Sequence, residues 1–330
     1  MLRVINFMAA HSAALHGLLV VDKPGLAPGA PPPPADAPRE QRLPTSHDVV
    51  QLVRRWSGER RIGHTGTLDP MASGVLVLCL GQATRLVEYY QGHNKQYYAE
   101  IQLGIATDTY DALGSPTANA LVPPLNRAHI DAVLQKFRGS VLQSPPVYSA
   151  LKQGGESVHR KARRGEAVSL DPRPVTFYTL DLLDVPAPDR LVLRLVCSAG
   201  AYVRSLAHDL GQALGTYGHL AGLRREAAGP FTLAHAHPLA TIEHAVKHGE
   251  LTDLLLPPGF GLEFPIRVFA PESIQRLGFG QQVPLAEPEA EFDGDLAQAY
   301  DEAGAFVGIV RRLAYREGMA LWKAEKWFGG

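Results

Sequence analysis

Residues 61–74 constrain this chain most. They read Arg-Ile-Gly-His-Thr-Gly-Thr-Leu-Asp-Pro-Met-Ala-Ser-Gly, and the apolar run Val75-Leu76-Val77-Leu78-Cys79-Leu80 follows at once. A polar, glycine-punctuated loop running straight into an apolar strand can carry backbone turns that side chains with a Cβ resist. Pro70 fixes its own φ and steers Asp69 away from helix. The single carboxylate of the loop is therefore expected at a rigid corner before a buried strand, where scaffolded loops carry chemistry. The competing account is that Asp-Pro is a turn initiator and nothing more. The rest of the chain decides between them.

At 330 residues, 45% hydrophobic and 20% charged, the chain can bury a large core and has room for two domains. No apolar run reaches membrane-spanning length. The two cysteines, Cys79 and Cys197, both lie in apolar strand-like runs. That argues against a disulfide scaffold or a cysteine metal site and for two buried thiols in a reducing cytoplasm. Residues 1–16 make a poor secretory signal and read as a short leader without fixed structure. The net charge is −1, but residues 287–302 carry seven acidic side chains and no Lys or Arg. The remainder is thus net positive. Its cations gather at Arg54, Arg55, Arg60 and Arg61 and at Lys152, Arg160, Lys161, Arg163, Arg164 and Arg173. Such clusters are usually solvated faces; two of them flanking one acidic loop point to a polyanion.

In chain order, residues 17–22 form a short strand, and 26–44, with Pro31 to Pro34 consecutive, an extended surface insertion. Ser46 caps a helix carrying Val49, Val50, Val53 and Trp56. A helix over 83–90 and a strand over 95–104 follow. Asn126 caps a helix with Ile130, Val133, Leu134 and Phe137 on one face. Residues 156–166 read as a basic helix or lobe, 175–183 and 191–197 as an antiparallel pair, and 202–214 as a helix. Without a regular βαβ repeat, the class is α+β with a mixed, mostly antiparallel sheet. After residue 257 the composition changes. The tail reads as a small β-rich module with strands at 266–270, 305–310 and 319–323 and a helix near 271–277. The domains are then 17–262 and 263–330.

The chain has no G-x-x-x-x-G-K-[ST] loop, no HExxH and no CxxC. Thirteen histidines, with His235 and His237 spaced by two, lack an accompanying ligand set, so no metal is expected. What remains is one carboxylate able to act as a nucleophile, with arginine as the cation that would hold it ionised.

Several runs, GLLVVDKP (17–24), TSHDVV (45–50), GHTGTLDPMASGVL (63–76), GQATR (81–85), KQYYAEIQLGIATDTYDA (95–112), PPVYSALK (145–152), CSAGAYVRSLAHDLG (197–211) and LRR (223–225), together resemble the bacterial tRNA pseudouridine-55 synthases of the TruB family. The resemblance implies a pseudouridine synthase fold followed by a PUA-like RNA-binding module. It also implies cofactor-free isomerisation of one uridine in the TΨC loop, at position 55, to pseudouridine. Asp69 falls on the family's nucleophilic aspartate, Arg204 on the arginine that pairs with it, and Tyr97 on the tyrosine that packs on the target base. Tyr202 and Leu223 match residues lining the uridine pocket. His64 matches the histidine that fills the vacated stack, and Lys23 belongs to the Lys-Pro motif under the site. Lys152 lies in the matching PPVYSALK run and is taken as a tRNA-binding cation. Taken alone, Tyr97, Tyr202 and Leu223 would be ordinary core residues, His64 a loop histidine and Lys23 a turn lysine. The implied partner is the T arm of tRNA, with no membrane, no obligatory protein partner, a monomeric state and a cytoplasmic location.

Three features depart from the family pattern: the insertion 26–44, the acidic stretch 287–302, and Arg85 where lysine is common. Two other functions compete. A tRNA-binding or tRNA-folding protein would not need Asp69, Tyr97 and Arg204 together. A glycoside hydrolase would want two carboxylates flanking the sugar bond, and only Asp69 stands out.

Overall fold

The computed structural model describes residues 15–27, 29–34, 37–38, 41–148, 152–153, 156–157, 164, 170–286 and 294–329. Two sheets organise these residues. The larger has ten strands in the order His237–Pro238, Gly17–Lys23, Ser73–Leu80, Gly218–Ala228, Lys95–Leu103, Arg190–Cys197, Arg173–Ala187 and Gly139–Gln143. Ile62–His64 pairs beside Ser73–Leu80, and Phe231–Thr232 beside Gly218–Ala228. Two pairings are parallel, Gly17–Lys23 with His237–Pro238 and Ser73–Leu80 with Gly218–Ala228; the others are antiparallel. The mixed, mostly antiparallel α+β class is thus what the chain adopts.

The two unbroken apolar runs lie next to each other near one edge of this sheet, and both of their faces are covered. Leu19, Val21, Leu76, Leu78 and Leu80 enter the core that the helices close, while Leu18, Val20, Val75, Val77 and Cys79 enter a second core on the opposite face. Two-sided burial is why these strands do not alternate apolar with polar residues. Lys95–Leu103 is covered differently: Tyr97, Ala99, Ile101 and Leu103 are buried, and Gln96, Tyr98 and Gln102 are only half-buried. Cys79 and Cys197 are free and buried, and burial pushes both thiols up to about 12. A thiol reacts as thiolate, so neither cysteine should be alkylated in the folded protein at pH 8, and both should be in urea. Rapid native labelling counted by mass spectrometry would contradict their placement.

Several local readings need correction. The first helix runs Ser46–Ser57, and its cap is Thr45, whose side chain accepts from the Asp48 N–H while Asp48 accepts from the Thr45 N–H. Ser46 instead turns inward, where its hydroxyl accepts from Leu68 N at 2.8 Å and donates to Leu68 O at 3.0 Å. The 83–90 segment divides into a 3-10 turn, Gly81–Leu86, and a short α-helix, Val87–Gln91. The insertion 26–44 is not wholly a surface excursion: Leu26 and Ala37 are buried, and Leu26 N donates to Met71 O. Of the leader, residues 1–14 lie outside the described residues; His16 is anchored, accepting at Nδ1 from Gln82 N. Of the expected basic lobe over 156–166 only Glu156–Ser157, a short strand paired with Lys152–Gln153, and the exposed Arg164 are described; the rest of it and the side chain of Lys152 lie outside the described residues.

The tail forms a five-stranded sheet ordered Ile266–Phe269, Leu296–Asp301, Phe306–Arg316, Met319–Trp327 and Val283–Ala286, with helix Pro271–Gly278 and its own core around Trp322 and Phe269. Two of these strands are not apparent in the sequence. Leu296–Asp301 lies within the acidic stretch, yet Ala297 and Ala299 are fully buried. The module also packs against the larger sheet. Ile309 joins the core holding Leu18 and Val77, Arg85 Nη1 donates to Trp327 O at 2.8 Å, and Lys326 pairs with Glu88 at 3.0 Å. Arg85 is thus engaged in holding the module.

Candidate active site

The Asp69 loop is fastened from several sides. Thr65 N donates to Val77 O and Ala72 N to Asp69 O, closing a turn around Pro70. Leu68, Met71 and Ala72 are buried, so the loop is anchored by apolar side chains as well as by backbone bonds. At Gly74 φ is +99°, and a Cβ there would come 2.2 Å from Arg225 O, so only glycine fits. Beneath the loop, Lys23 is fully buried and its ammonium donates to Pro24 O, Pro70 O and Ala72 O at 2.9, 3.0 and 2.7 Å. Burial pushes this amine down to about 8, with the Asp69 charge opposing.

Asp69 projects from this frame with its side chain 30% exposed, against an Arg204 side chain that is 5% exposed. Arg204 lies in the first turn of helix Val203–Ala213, where the helix dipole disfavours a cation. A carboxylate offsets that cost. Arg204 Nη2 donates to Asp69 Oδ1 at 3.0 Å; Nε lies 2.9 Å from Oδ2 but without hydrogen-bond alignment. The pair is thus one aligned bond plus one close charge contact. The remaining nitrogen, Nη1, donates to Thr109 O at 3.2 Å and Tyr148 O at 3.0 Å and lies 3.7 Å from the Asp111 carboxylate. Asp111 is almost fully buried, accepting from Thr109 Oγ1 and Leu113 N. Burial holds its carboxyl above the usual carboxylate range, with Arg204 pulling the other way. The guanidinium is thereby fixed between an exposed carboxylate and a buried one.

The cleft over Asp69 has a volume of about 290 Å³ and is lined by Asp69, Tyr97, Tyr202, Arg204, Leu223 and Arg225, among others. That is near the lower end for ligand pockets, suited to one extruded nucleotide rather than a duplex. Tyr97 lines the cleft; burial raises the phenol's pKa, with the nearby Arg225 charge pulling the other way. Arg225 donates to Val75 O, Gly66 O and Thr67 O, which ties it to the Asp69 loop. Lys95 lines the cleft, its amine donating to Gln91 O and pushed down to about 8 by burial. Tyr202 caps the Arg204 helix and is fixed by Gln143, which accepts from its N–H and donates to its carbonyl. His64 ends the strand leading into the loop and does not line the cleft; its Nδ1 is buried with no hydrogen-bond partner, and burial lowers its pKa, favouring a neutral ring.

The structure therefore brings Asp69, Tyr97, Tyr202, Arg204 and Leu223 to one cleft, with Lys23 below and His64 beside it. Sequence reasoning assigned no role to Asp111, Arg225 or Lys95, although each lies within a run that carried the family resemblance. A larger cavity, about 730 Å³, lies against Tyr98, Glu100 and Arg224. Its Asp22, Glu100 and Glu226 carboxylates face Arg224 at 2.9 Å, Arg190 at 3.7 Å and Arg194 at 3.0 Å, and none of them lies in the glycine-punctuated loop that carries Asp69. Among the described residues no three His, Cys, Asp or Glu side chains converge on a metal position.

Comparison with known proteins decides the family. The model of the TruB family pseudouridylate synthase N-terminal domain matches residues 54–203, and that of the tRNA pseudouridylate synthase B C-terminal domain matches 204–262. The tRNA pseudouridine synthase B of Xanthomonas campestris pv. campestris (strain B100) is 40% identical over 298 residues, 89% of each chain. The chain belongs to the TruB family of tRNA pseudouridine synthases. A second TruB-family relative, the tRNA pseudouridine synthase B of Stutzerimonas stutzeri (strain A1501), is 41% identical over 80% of this chain and 87% of its own. Among solved structures, a chain of the archaeal box H/ACA sRNP Nop10-Cbf5 complex superposes with a TM-score of 0.64 at 22% identity, covering 95% of this chain and 86% of that one. A chain of a Cbf5-Nop10-Gar1 complex gives 0.65 at 23%, covering 96% and 95%. At that identity the likeness establishes the fold shared by the TruB-family chain and these neighbours.

Proposed function

We propose that this TruB-family enzyme isomerises uridine 55 in the T arm of tRNA to pseudouridine, with Asp69 as the nucleophile. The observation that carries the reading is the Asp69–Arg204 pair at the bottom of a cleft sized for one nucleotide. A base inside a folded loop must be extruded before its bonds can be exchanged, at a cost of a few kcal/mol, and the neutral ring of His64 is suited to fill the gap. Tyr97 supplies a flat surface for the extruded uracil. Asp69 attacks the base or the sugar, the N1–C1′ bond breaks, the detached base turns, C5 bonds to C1′, and the bond to Asp69 breaks to return the free carboxylate. C5 then loses its proton and N1 gains one, so atoms balance without a cofactor. Arg204 keeps the carboxylate ionised and aimed, and Asp111 holds Arg204.

In the same reading, the module from residue 263 acts as a PUA-like RNA-binding domain, and Lys152 together with the exposed Arg55, Arg60 and Arg61 contacts phosphates. The enzyme works as a cytoplasmic monomer without an obligatory protein partner; two buried free thiols fit a reducing compartment, and among the described residues no helix is long and apolar enough to cross a membrane. Glycoside hydrolysis fits the geometry poorly. The second carboxylate, Asp111, is buried behind Arg204 rather than placed across a sugar.

The test is to incubate purified protein alone with an unmodified tRNA transcript and map pseudouridine at nucleotide resolution. One modified position, 55, is expected. Modification elsewhere, or only after adding another protein, would refute the corresponding part of the reading.

A further inference from the structure

Tyr110 stands out in the loop that grips the active-site arginine. Its φ is +63°, a left-handed conformation rarely adopted by a residue with a bulky side chain, and such strain concentrates where surrounding structure enforces it for a purpose. Its ring stacks on His208 with centroids 4.0 Å apart and planes 13° from parallel. His208 lies one turn beyond Arg204 on the same helix, so the two side chains share a face. The neighbours of Tyr110 on both sides touch that arginine: Thr109 O accepts from Arg204 Nη1, and the Asp111 carboxylate lies 3.7 Å from it.

The loop is otherwise stitched to the strand Gly218–Ala228, with Leu220 N donating to Tyr110 O and Ala112 N to Leu220 O. The ring pair adds a tie to the helix itself. His208 presents a flat, uncharged surface: burial lowers its pKa, Nε2 is hydrogen-bonded to Gln212, and Nδ1 is buried with no hydrogen-bond partner.

We propose that the Tyr110–His208 stack is a brace that sets the distance between the 107–113 loop and the Arg204 helix, making both side chains positioning residues for the isomerisation. The proposal rests on Asp69–Arg204 being the working pair. The left-handed backbone turns the Tyr110 ring toward the helix, while the flanking carbonyl and carboxylate reach the guanidinium. Without the stack, Arg204 would keep its partners but lose a fixed aim at Asp69, and misplacement of about 1 Å can cost about 100-fold in rate.

The experiment compares single-turnover rates and tRNA affinity of purified Tyr110→Ala, Tyr110→Gly, Tyr110→Phe, His208→Ala and the Tyr110→Ala/His208→Ala double variant. The alanine and glycine variants should react at least about tenfold more slowly with tRNA affinity within about threefold, and Phe, which keeps the ring, should stay within about twofold of wild type. The double variant should be no slower than the slower single one, since both remove the same contact. A wild-type rate in Tyr110→Gly, losses that multiply in the double variant, or a defect confined to tRNA affinity would each overturn the brace. Should Tyr110→Ala fail to fold, His208→Ala and Tyr110→Phe still separate the two outcomes, the first expected slow and the second near wild type. Asp69→Asn, run alongside, separates the two levels. If it is inactive while the stack variants are normal, only the brace fails; if it is active, the reading of the site fails.

Discussion

Asp69→Asn is expected to slow pseudouridine formation by about 1,000-fold or more while changing tRNA affinity by no more than a few fold. Asparagine has almost the same shape as aspartate, and its carbonyl oxygen can still accept the Arg204 Nη2 bond that Oδ1 now accepts at 3.0 Å. The loop has no reason to move, because its anchors are Lys23, Ser46 and the buried Leu68 and Met71 rather than the carboxylate. What the amide loses is the negative charge and the ability to form and release a covalent adduct. In the proposed reading binding is spread over phosphate contacts from Lys152 and the exposed arginines rather than on Asp69, so a filter-binding titration should barely change. The rate is read by release of the C5 hydrogen from labelled tRNA in a single turnover. Substantial activity in this variant would remove Asp69 as the nucleophile and require another group of the cleft to attack.

Where the sequence was legible, the cause is local. The runs at 17–22 and 75–80 announce strands because burial on both faces demands apolar residues throughout. Asp69 is conspicuous because Pro70 and the flanking glycines already specify a corner. Thr45 and Ser46 were confused because either hydroxyl can cap; the choice is made by Leu68, whose backbone engages Ser46 from a distant part of the chain. The strand Leu296–Asp301 was hidden because its inward residues are alanines, whose small side chains fill the core under Trp322 without raising the local hydropathy. Asp111 illustrates the deeper limit. In the stretch Asp108-Thr109-Tyr110-Asp111 it reads as one more solvated turn acid, and nothing nearby in the chain distinguishes it from Asp108, which is exposed. Only the arrival of Arg204 from a remote helix gives the buried carboxylate a partner.

That dependence supports the second large effect. Arg204→Lys should lower the single-turnover rate by about 100-fold, because an ammonium cannot hold Asp69 while also reaching Thr109 O, Tyr148 O and Asp111 as the planar fork does. Arg204→Met should be worse for stability. It strands Asp111 in the interior without its cation, and breaking a buried pair from one side costs about 3–5 kcal/mol. Protonation offers an escape, and this gives the prediction a sign. Burial already raises the Asp111 pKa, and Arg204 is the charge opposing that shift. Without the arginine the folded-state pKa rises further above its unfolded value. Between those two values the folded protein binds more protons than the unfolded chain, so stability falls as pH rises through that window. The deficit of Arg204→Met relative to wild type, measured by urea unfolding, should therefore be smaller at pH 5 than at pH 8. Adding Asp111→Asn should recover part of the loss at pH 8 and little at pH 5. Equal deficits at both pH values would mean that Asp111 carries no charge opposite Arg204, and the guanidinium would then be held by Asp69 and the two carbonyls alone.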